Sequence, residues 1–599
     1  MSFDNVLKGQ DTTLYCSVLS NLATDVRIAY CDLCDLLGGQ VSIEHQYRVL
    51  EMHIAIRQSG LPNYLGCKFV IKSGFNIEYL EESLKDYEDR EIIQYLKHGW
   101  PIDHDGSETQ STPPRNHDSA TKYAGDIRKY LVKELGHGAV IGPFKKCPFK
   151  DNVALSPLST RDKKDSKERR ILVDMSFPPG KSVNDGIDKH TYQGEEIQLT
   201  YPAADKLVEM IVKKGRGCKL FKRDLRRAFR QFFVDPGDIS LLGYVWEDHY
   251  FFDVVLAMGC RSSPYICQRI SKMIRYLYNE EGHDCVNFLD DYAGCEEDEQ
   301  ALVAYESLGG VMDRAGVEQS HDKNCPPVYM MIFLGILFCT LTMTMQVTKE
   351  RMSELRELLL AWAGKVTYCR KELESLIGKL NFVCTCVRSS RVFMSRFLNA
   401  LRATPKQGRV QVSRDMQQDV NWWLKFLPVY NGVSVIVEED WIQPDGLISC
   451  DACLDGCGGW SEGQFFHARF PPWIARAQWH INALELLTLT VSLKVWRDKI
   501  RRKKFQVLCD NMATVIVIST GKSKDPLMQA CLRELVWILA TNEAEIRVSH
   551  ITTDQNRIAD ILSRWDLMSD AKGKLIEVVG GECEEITVSE DQFRFSHDW

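Results

Sequence analysis

At 599 residues and 44% hydrophobic side chains, the chain can form about three to five domains with real cores. A net charge of −8 and a pI near 6.0 exclude a uniformly basic nucleic-acid coat, so nucleic acid would have to be held by local basic surfaces. No run reaches the ~18 apolar residues of a membrane span, and the polar start Met1-Ser2-Phe3-Asp4-Asn5 is no secretory signal. The 21 cysteines therefore read as reduced thiols of an intracellular protein, cytoplasmic or nuclear, with no membrane partner.

Residues 1–110 form an N-terminal region, small and mainly helical, with no readable role. Within it Cys31-x-x-Cys34, His45 and His53 could ligate zinc, but the spacing fits no common finger and buried thiols are the plainer reading. Ile77, Leu80, Leu84, Ile92, Ile93 and Leu96 suggest a helix or helix pair. Residues 103–119 are polar and contain Pro-Pro, which reads as a linker or loop and a domain boundary. Ala120 to Leu135 reads as a helix, stopped by Gly136 and Gly138.

A basic hairpin follows, Lys163-Lys164-Asp165-Ser166-Lys167-Glu168-Arg169-Arg170, leading into the strand Ile171-Leu172-Val173-Asp174. Its cations either guard a strand edge or suit phosphate, which Arg binds bidentately and Lys as a point charge. Lys219-Leu220-Phe221-Lys222-Arg223-Asp224 is a short strand ending in an acid, with Phe229 five residues on. Met258-Gly259-Cys260-Arg261-Ser262-Ser263-Pro264 is a flexible turn before a helix, where Gly259 permits close approach of backbone to a ligand. Cys285-Val286-Asn287-Phe288-Leu289-Asp290-Asp291-Tyr292-Ala293 sets two adjacent acids between apolar runs. Side by side they cost stability unless a divalent cation neutralises them. With Asp224, they make the three carboxylates of a two-metal site for phosphoryl transfer.

Leu302 to Ala315 reads as a helix, followed by Asp322-Lys323-Asn324. Thr348 to Phe426 is largely helical, with Leu355, Leu359, Trp362, Leu373, Leu376 and Leu380 at core spacing. Arg388, Arg391 and Arg396 either line a duplex or are solvated. From Leu447 the period changes to strand and Gly turn. Asp451 stands on a strand, Glu485 on a helix, Asp510 at a strand end and Asp560 at a helix start, with His550 on a loop. Cys450, Cys453 and Cys457 read as packing. The densest basic cluster, Lys494, Arg497, Lys499 and Arg501 to Lys504, is a solvated helix end or a phosphate grip. Residues 567–599 are acidic and turn-rich and read as a weakly ordered tail or a cleavage junction.

Asp224-x-x-x-x-Phe229, Gly259-x-x-x-Ser263-Pro264-x-x-x-Gln268 and Phe288-Leu289-Asp290-Asp291 resemble successive palm motifs of reverse transcriptases. Asp174-Met175-Ser176-Phe177-Pro178-Pro179-Gly180-Lys181-Ser182-Val183-Asn184-Asp185 and Leu376-Ile377-Gly378-Lys379-Leu380-Asn381-Phe382-Val383 resemble DIRS-like, tyrosine-recombinase retrotransposons, whose polyproteins couple reverse transcriptase to RNase H. The likeness spans roughly residues 110–566. It implies an α/β and α+β multidomain chain, a right-hand polymerase followed by an RNase H-like α/β domain. Fingers and palm would occupy 111–345, a helical thumb and connection 346–440, RNase H 441–566 and the tail 567–599.

The same resemblance assigns roles. Asp224, Asp290 and Asp291 would hold one pair of Mg2+ ions, and Asp451, Glu485, Asp510 and Asp560 a second pair, with Mn2+ a possible substitute. Lys163 and Arg170 would bind the triphosphate and Gly259 the nucleotide, Phe229 would exclude a 2′-hydroxyl, Lys323 would protonate pyrophosphate and His550 would shuttle protons. The implied partners are RNA template, DNA primer, RNA/DNA hybrid and dNTPs, with a separate tyrosine recombinase and a Gag-like protein, since no Arg…His-x-x-Arg…Tyr pattern is present. The rival readings are a DNA-templated polymerase with an exonuclease-like domain, and a catalytically inactive or partner-dependent element protein that binds nucleic acid.

Overall fold

The computed structural model describes residues 43–66, 69–163, 168–197, 204–386, 388–429, 433–435 and 443–599, though not the side chains of residues 43, 388, 389, 429 and 433–435. Cys31 and Cys34 lie outside the described residues. The chain is of the expected mixed α/β, multidomain class and divides into two compact units, Met1–Met331 and Ile332–Trp599.

In the first unit a two-stranded ribbon, β1 (Leu158–Asp162) and β2 (Arg169–Val173), precedes a four-stranded antiparallel sheet. That sheet contains β3 (Lys219–Asp224), β4 (Val286–Phe288), β5 (Asp291–Glu296) and β6 (Cys325–Val328), in the order β6-β3-β5-β4. The helices Ser263–Glu280 (α1) and Ala301–Ala315 (α2) pack on it. Leu220, Phe221, Tyr292, Ala293, Ile270, Ile274, Leu308 and Met312 are buried, an interior that fixes the register of the strands.

Residues 43–110 belong to this unit. Leu50, Leu80, Tyr95, Trp100 and Ile102 lie in one core cluster with Phe232, Val255 and Ile270. His53 Nδ1 bonds the Pro236 carbonyl at 2.8 Å and His45 Nε2 that of Gly138 at 3.0 Å, so both imidazoles serve packing. The segment 103–117, expected as a linker or loop, is irregular backbone that is hydrogen-bonded into this unit. Gln110 N donates to Lys181 O, Leu155 N to Gln110 O and Thr109 Oγ1 to Val153 O, so its polar residues meet backbone needs inside the unit.

Two buried-side acids anchor the segment. Asp235 accepts from Asn63 N at 2.8 Å and Gly237 N at 2.7 Å, and Asp238 from Ile102 N at 2.9 Å. Burial, then the charge of Asp238, pushes the Asp235 carboxyl up to about 7, and burial pushes Asp238 up to about 6. A carboxyl with a raised folded-state pKa contributes stability that is complete below its unfolded value and is lost as pH rises through the folded one. Asp238→Asn should therefore flatten the decline in melting temperature between pH 4 and pH 7, and an unchanged slope by calorimetry would refute this.

In the second unit, helices Lys349–Ala363, Arg370–Cys386, Ser395–Ala403 and Arg414–Val429 follow a strand pair, Ile336–Cys339 and Thr344–Val347. The C-terminal part is built on a six-stranded sheet. It contains β7 (Gly446–Ala452), β8 (Gly456–Ser461), β9 (Gln464–Arg469), β10 (Lys504–Cys509), β11 (Glu545–His550) and β12 (Glu584–Glu585), in the order β11-β10-β7-β8-β9-β12. The β7-β8-β9 meander is antiparallel, while β7, β10 and β11 are parallel. Their crossovers are the helices α3 (Ile481–Val495), α4 (Met512–Thr520) and α5 (Pro526–Thr541), and α6 (Arg557–Ser563) packs on β7 and β8.

Residues 567–599 are not a loose tail. They supply a helix, Ala571–Val579, and the edge strand β12, and Phe593 is buried. Ser596 Oγ and Trp599 Nε1 both donate to the buried Glu534 at 2.7 Å. Acidic composition hid these few anchors, each of which buries large area or satisfies a buried charge.

Candidate active sites

The first site forms where β3 and β5 run antiparallel with Asp224 directly opposite Asp291. Opposed residues on one face stand about 4.5–5.5 Å apart at Cβ, so register alone brings these acids together. Asp290 occupies the two-residue turn between β4 and β5, next to Leu289 in a left-handed conformation at φ 52°. That conformation is uncommon for a bulky residue and persists only when its surroundings hold it. Here Leu289 N donates to Gln268 Oε1 at 2.9 Å, Ser271 Oγ donates to Leu289 O, and Leu225 N donates to Asp290 O at 2.9 Å. Gln268 and Ser271 lie on α1, so the Ser263-Pro264-x-x-x-Gln268 motif is the support of the acidic turn.

Charge accumulates here. Burial, then the charge of Asp224, raises the Asp290 carboxyl, and burial with a hydrogen bond to Asp224 pushes Asp291 up to about 7. Lys323 Nζ meets Asp224 Oδ1 at 3.1 Å. Burial opposes the Lys323 charge, but Asp224 and the two neighbouring acids hold its pKa above the usual value. Three crowded carboxyls with two forced toward protonation are a donor set that a divalent cation would satisfy.

The loop around Gly259 is tied to the Ser182-Val183-Asn184-Asp185 motif. Asn184 Nδ2 donates to Gly259 O and Asn184 Oδ1 accepts from Arg261 N, both at 2.8 Å. Gly259 has φ 116°, and an added Cβ would stand 2.7 Å from Val173 O, so the position requires glycine. Phe229 sits half-buried in a short 3₁₀ turn after Asp224.

On the β1/β2 ribbon Arg161 is paired directly with Arg170. Lys163 directly follows β1 and is ion-paired to Glu168 at 2.9 Å. The positive charge of Arg170 is felt at Asp290. Opposed like charges destabilise a ribbon unless an anion lies between them. Arg161 was not singled out in the sequence; only the register reveals it.

The second site lies on the six-stranded sheet. Asp451 on β7 and Glu485 on α3 are each 5% exposed and share a hydrogen bond, Asp510 follows β10, and Asp560 stands in the first turn of α6. Burial, then the charges of Asp451 and Asp510, pushes Glu485 up to about 9, and burial pushes Asp451 up to about 7. Glu485 Oε2 has no hydrogen-bond partner. An orphaned buried carboxylate oxygen beside three other acids again fits a divalent cation.

Asp510 accepts from Thr553 Oγ1 at 3.0 Å and Asn556 Nδ2 at 3.3 Å, and Asp560 pairs with Arg564 at 2.7 Å. His550 ends β11 rather than lying on a loop, exposed, with Nε2 at 3.1 Å from the Asp510 carbonyl. Thr553 and Asn556 were not picked out as partners of Asp510; hydroxyl and amide residues on a loop carry no period.

The basic cluster is largely spent on the fold. Lys494 pairs with Glu534, Lys499 with Glu462 and Arg502 with Glu543, while Arg497 donates to Asn542. Arg396 pairs with Asp419 at 3.1 Å.

No protein-family model matches the chain, and no curated protein matches it. Among solved structures it is similar to a foamy viral protease-reverse transcriptase, the dRH form in complex with double-stranded DNA, at TM-score 0.43 and 14% identity over 79% of this chain and 81% of that one. It is also similar to a foamy viral protease-reverse transcriptase bound to double-stranded DNA, at TM-score 0.42 and 14% identity over 81% and 98% of the two chains. A third is that protein with an RNA/DNA hybrid, at 0.40 and 14% identity over 79% and 62%.

Proposed function

We propose that this chain is an RNA-directed DNA polymerase with RNase H activity, encoded by a retrotransposon of the DIRS-like kind. The observation that carries the reading is the pairing of Asp224 with Asp291 across adjacent strands, with Asp290 in the turn beside them and Lys323 against Asp224. A second four-acid cluster in the other unit supports it.

Asp224, Asp290 and Asp291 would hold two Mg2+ ions, and Asp451, Glu485, Asp510 and Asp560 two more. Bound there, the ions would activate the attacking oxygen and neutralise the leaving one. The chain's own residues do the rest. Arg170 and Arg161 bind the triphosphate, Lys163 adds charge at the ribbon's end, and Gly259 lets the backbone approach the nucleotide. Phe229 excludes the 2′-hydroxyl of a ribonucleotide by bulk. Lys323, freed from Asp224, donates a proton to pyrophosphate. His550, held at the Asp510 carbonyl, carries protons away during RNA cleavage. RNA template, DNA primer and hybrid are the partners of this chemistry, and a separate recombinase and a Gag-like protein would complete the element's cycle.

The test is extension of oligo(dT) on poly(rA) with Mg2+, beside the same primer on poly(dA), and hydrolysis of labelled RNA in a hybrid. RNA-templated extension with RNA cleavage is expected. Preference for the DNA template would favour the DNA-polymerase rival, and a folded chain inactive in both assays the degenerate one. In the same assay Arg161→Ala should raise the dNTP KM about 10-fold, as loss of a charge-assisted hydrogen bond worth roughly 1.5–3 kcal/mol implies. Lys163→Ala should raise it less, because its charge is shared with Glu168; the reverse order would exclude a role for Arg161.

A further inference from the structure

The second site holds a feature that hydrolysis by oxygen-bound cations does not use. Cys509, the last residue of β10, is fully buried, and its Sγ lies with carboxylate oxygens of Glu485 and Asp510 in a group whose ligand atoms are all within 4.8 Å of one another. Asn511 N donates to Cys509 Sγ at 3.4 Å, the kind of backbone hydrogen bond that steadies a metal-bound thiolate. Glu485, itself buried, presents an oxygen with no partner. A small side-chain adjustment would bring such donors to the roughly 3.5 Å separation found around an ion bonded at about 2.0–2.3 Å by sulfur and oxygen.

We infer that Cys509, Glu485 and Asp510 form a binding site for a thiophilic divalent cation, of the class of Zn2+ or Cd2+, distinct in its sulfur donor from the all-oxygen sites proposed for Mg2+. Thiolate ligands select such ions over Mg2+, which favours oxygen. On binding, the Cys509 S–H bond breaks, its proton passes to solvent, and a sulfur–metal bond forms with no change of oxidation state. Because the ion takes up Glu485 and Asp510, it removes two of the four acids from hydrolysis; that consequence alone rests on the ribonuclease reading. The polymerase acids lie in the other unit and include no cysteine, so extension is the comparison activity.

The test uses the full chain and Cd2+ alone, without nucleic acid. A thiolate-to-metal charge-transfer band should rise to saturation, and the cadmium NMR signal should fall in the range of one sulfur among oxygens. Cys509→Ser should lose the band assigned to this site and one equivalent of bound ion by equilibrium dialysis, while keeping the wild-type circular dichroism. Glu485→Gln, which retains the thiol, should weaken binding about 10-fold or more, as loss of a ligand does. Equal Cd2+ stoichiometry and spectra in wild type and Cys509→Ser, or a resonance typical of several thiolates, would overturn the proposal. Should Cys509→Ser misfold, an unaltered affinity in Glu485→Gln would overturn it independently. Failure of RNA hydrolysis in wild type with the band present would count against the ribonuclease reading and leave the metal site standing.

Discussion

Asp290→Asn should lower primer extension by about 10³-fold or more and leave hydrolysis of hybrid RNA unchanged. The size follows from the loss of a charge aimed at a reacting phosphate in a site where electrostatic groups are commonly worth roughly 10²–10³ each. Asn keeps the shape of the side chain, and the backbone bond from Leu225 N to Asp290 O does not depend on the carboxyl. The substitution also relieves repulsion, since Asp290 sits beside Asp224 with its carboxyl held above the ordinary value by burial and that neighbour. Melting temperature should therefore hold or rise, which separates lost chemistry from lost fold. Parallel loss of extension and hydrolysis would sink the assignment of two independent sites.

Glu485→Gln should give the converse result, with hydrolysis reduced by a similar order, about 10³-fold, and extension retained. It also carries a signature in the metal-free protein. The Glu485 carboxyl is pushed from 4.5 up to about 9, by burial first and then by Asp451 and Asp510. The folded state thus holds a proton that the unfolded state has released, so stability from this group is complete below pH 4.5 and is lost as pH rises toward 9. In wild type, melting temperature should fall across that range and Mg2+ should recover it at the alkaline end, where the carboxylate is free to bind. In Glu485→Gln the fall should be shallower and the recovery smaller. Identical melting curves for the two proteins, with and without Mg2+, would refute the role of Glu485.

Asp224 and Asp510 were legible in the sequence because each stands where a short strand stops, while the roles of the other acids came from the resemblance to reverse transcriptases and RNase H. A run such as Lys219 to Asp224 or Phe505 to Asp510 is a short strand-forming stretch that ends in a carboxylate, and covalent order fixes such a residue at the strand's end. The role of the support around the acids was not legible, although Gln268 and Asn184 stand within the motifs that carry the resemblance. Gln268 and Ser271 beneath the Leu289 turn, Asn184 behind Gly259, and Thr553 and Asn556 on Asp510 are ordinary polar residues remote in the chain. Charge patterns misled more than hydrophobic ones. Lys494, Lys499 and Arg502 look like a phosphate grip in one dimension and are ion-paired in three.

By itself the sequence determined the mixed α/β class and the positions of short strands such as those ending at Asp224 and before Asp510, because periodicity and chain order act locally, and it offered seven carboxylates as candidates through its resemblance to reverse transcriptases and RNase H. Tertiary structure decided what depends on register and burial. It placed Asp224 opposite Asp291 and Arg161 opposite Arg170. It gathered residues 43–110 into the same core as the first site, and docked Phe593, Ser596 and Trp599 where composition suggested a loose tail. It also set Cys509 among the acids of the second site. These are contacts between residues far apart in the chain, formed where the gain from burying apolar surface exceeds the entropy of ordering it, and no local pattern in the sequence records them.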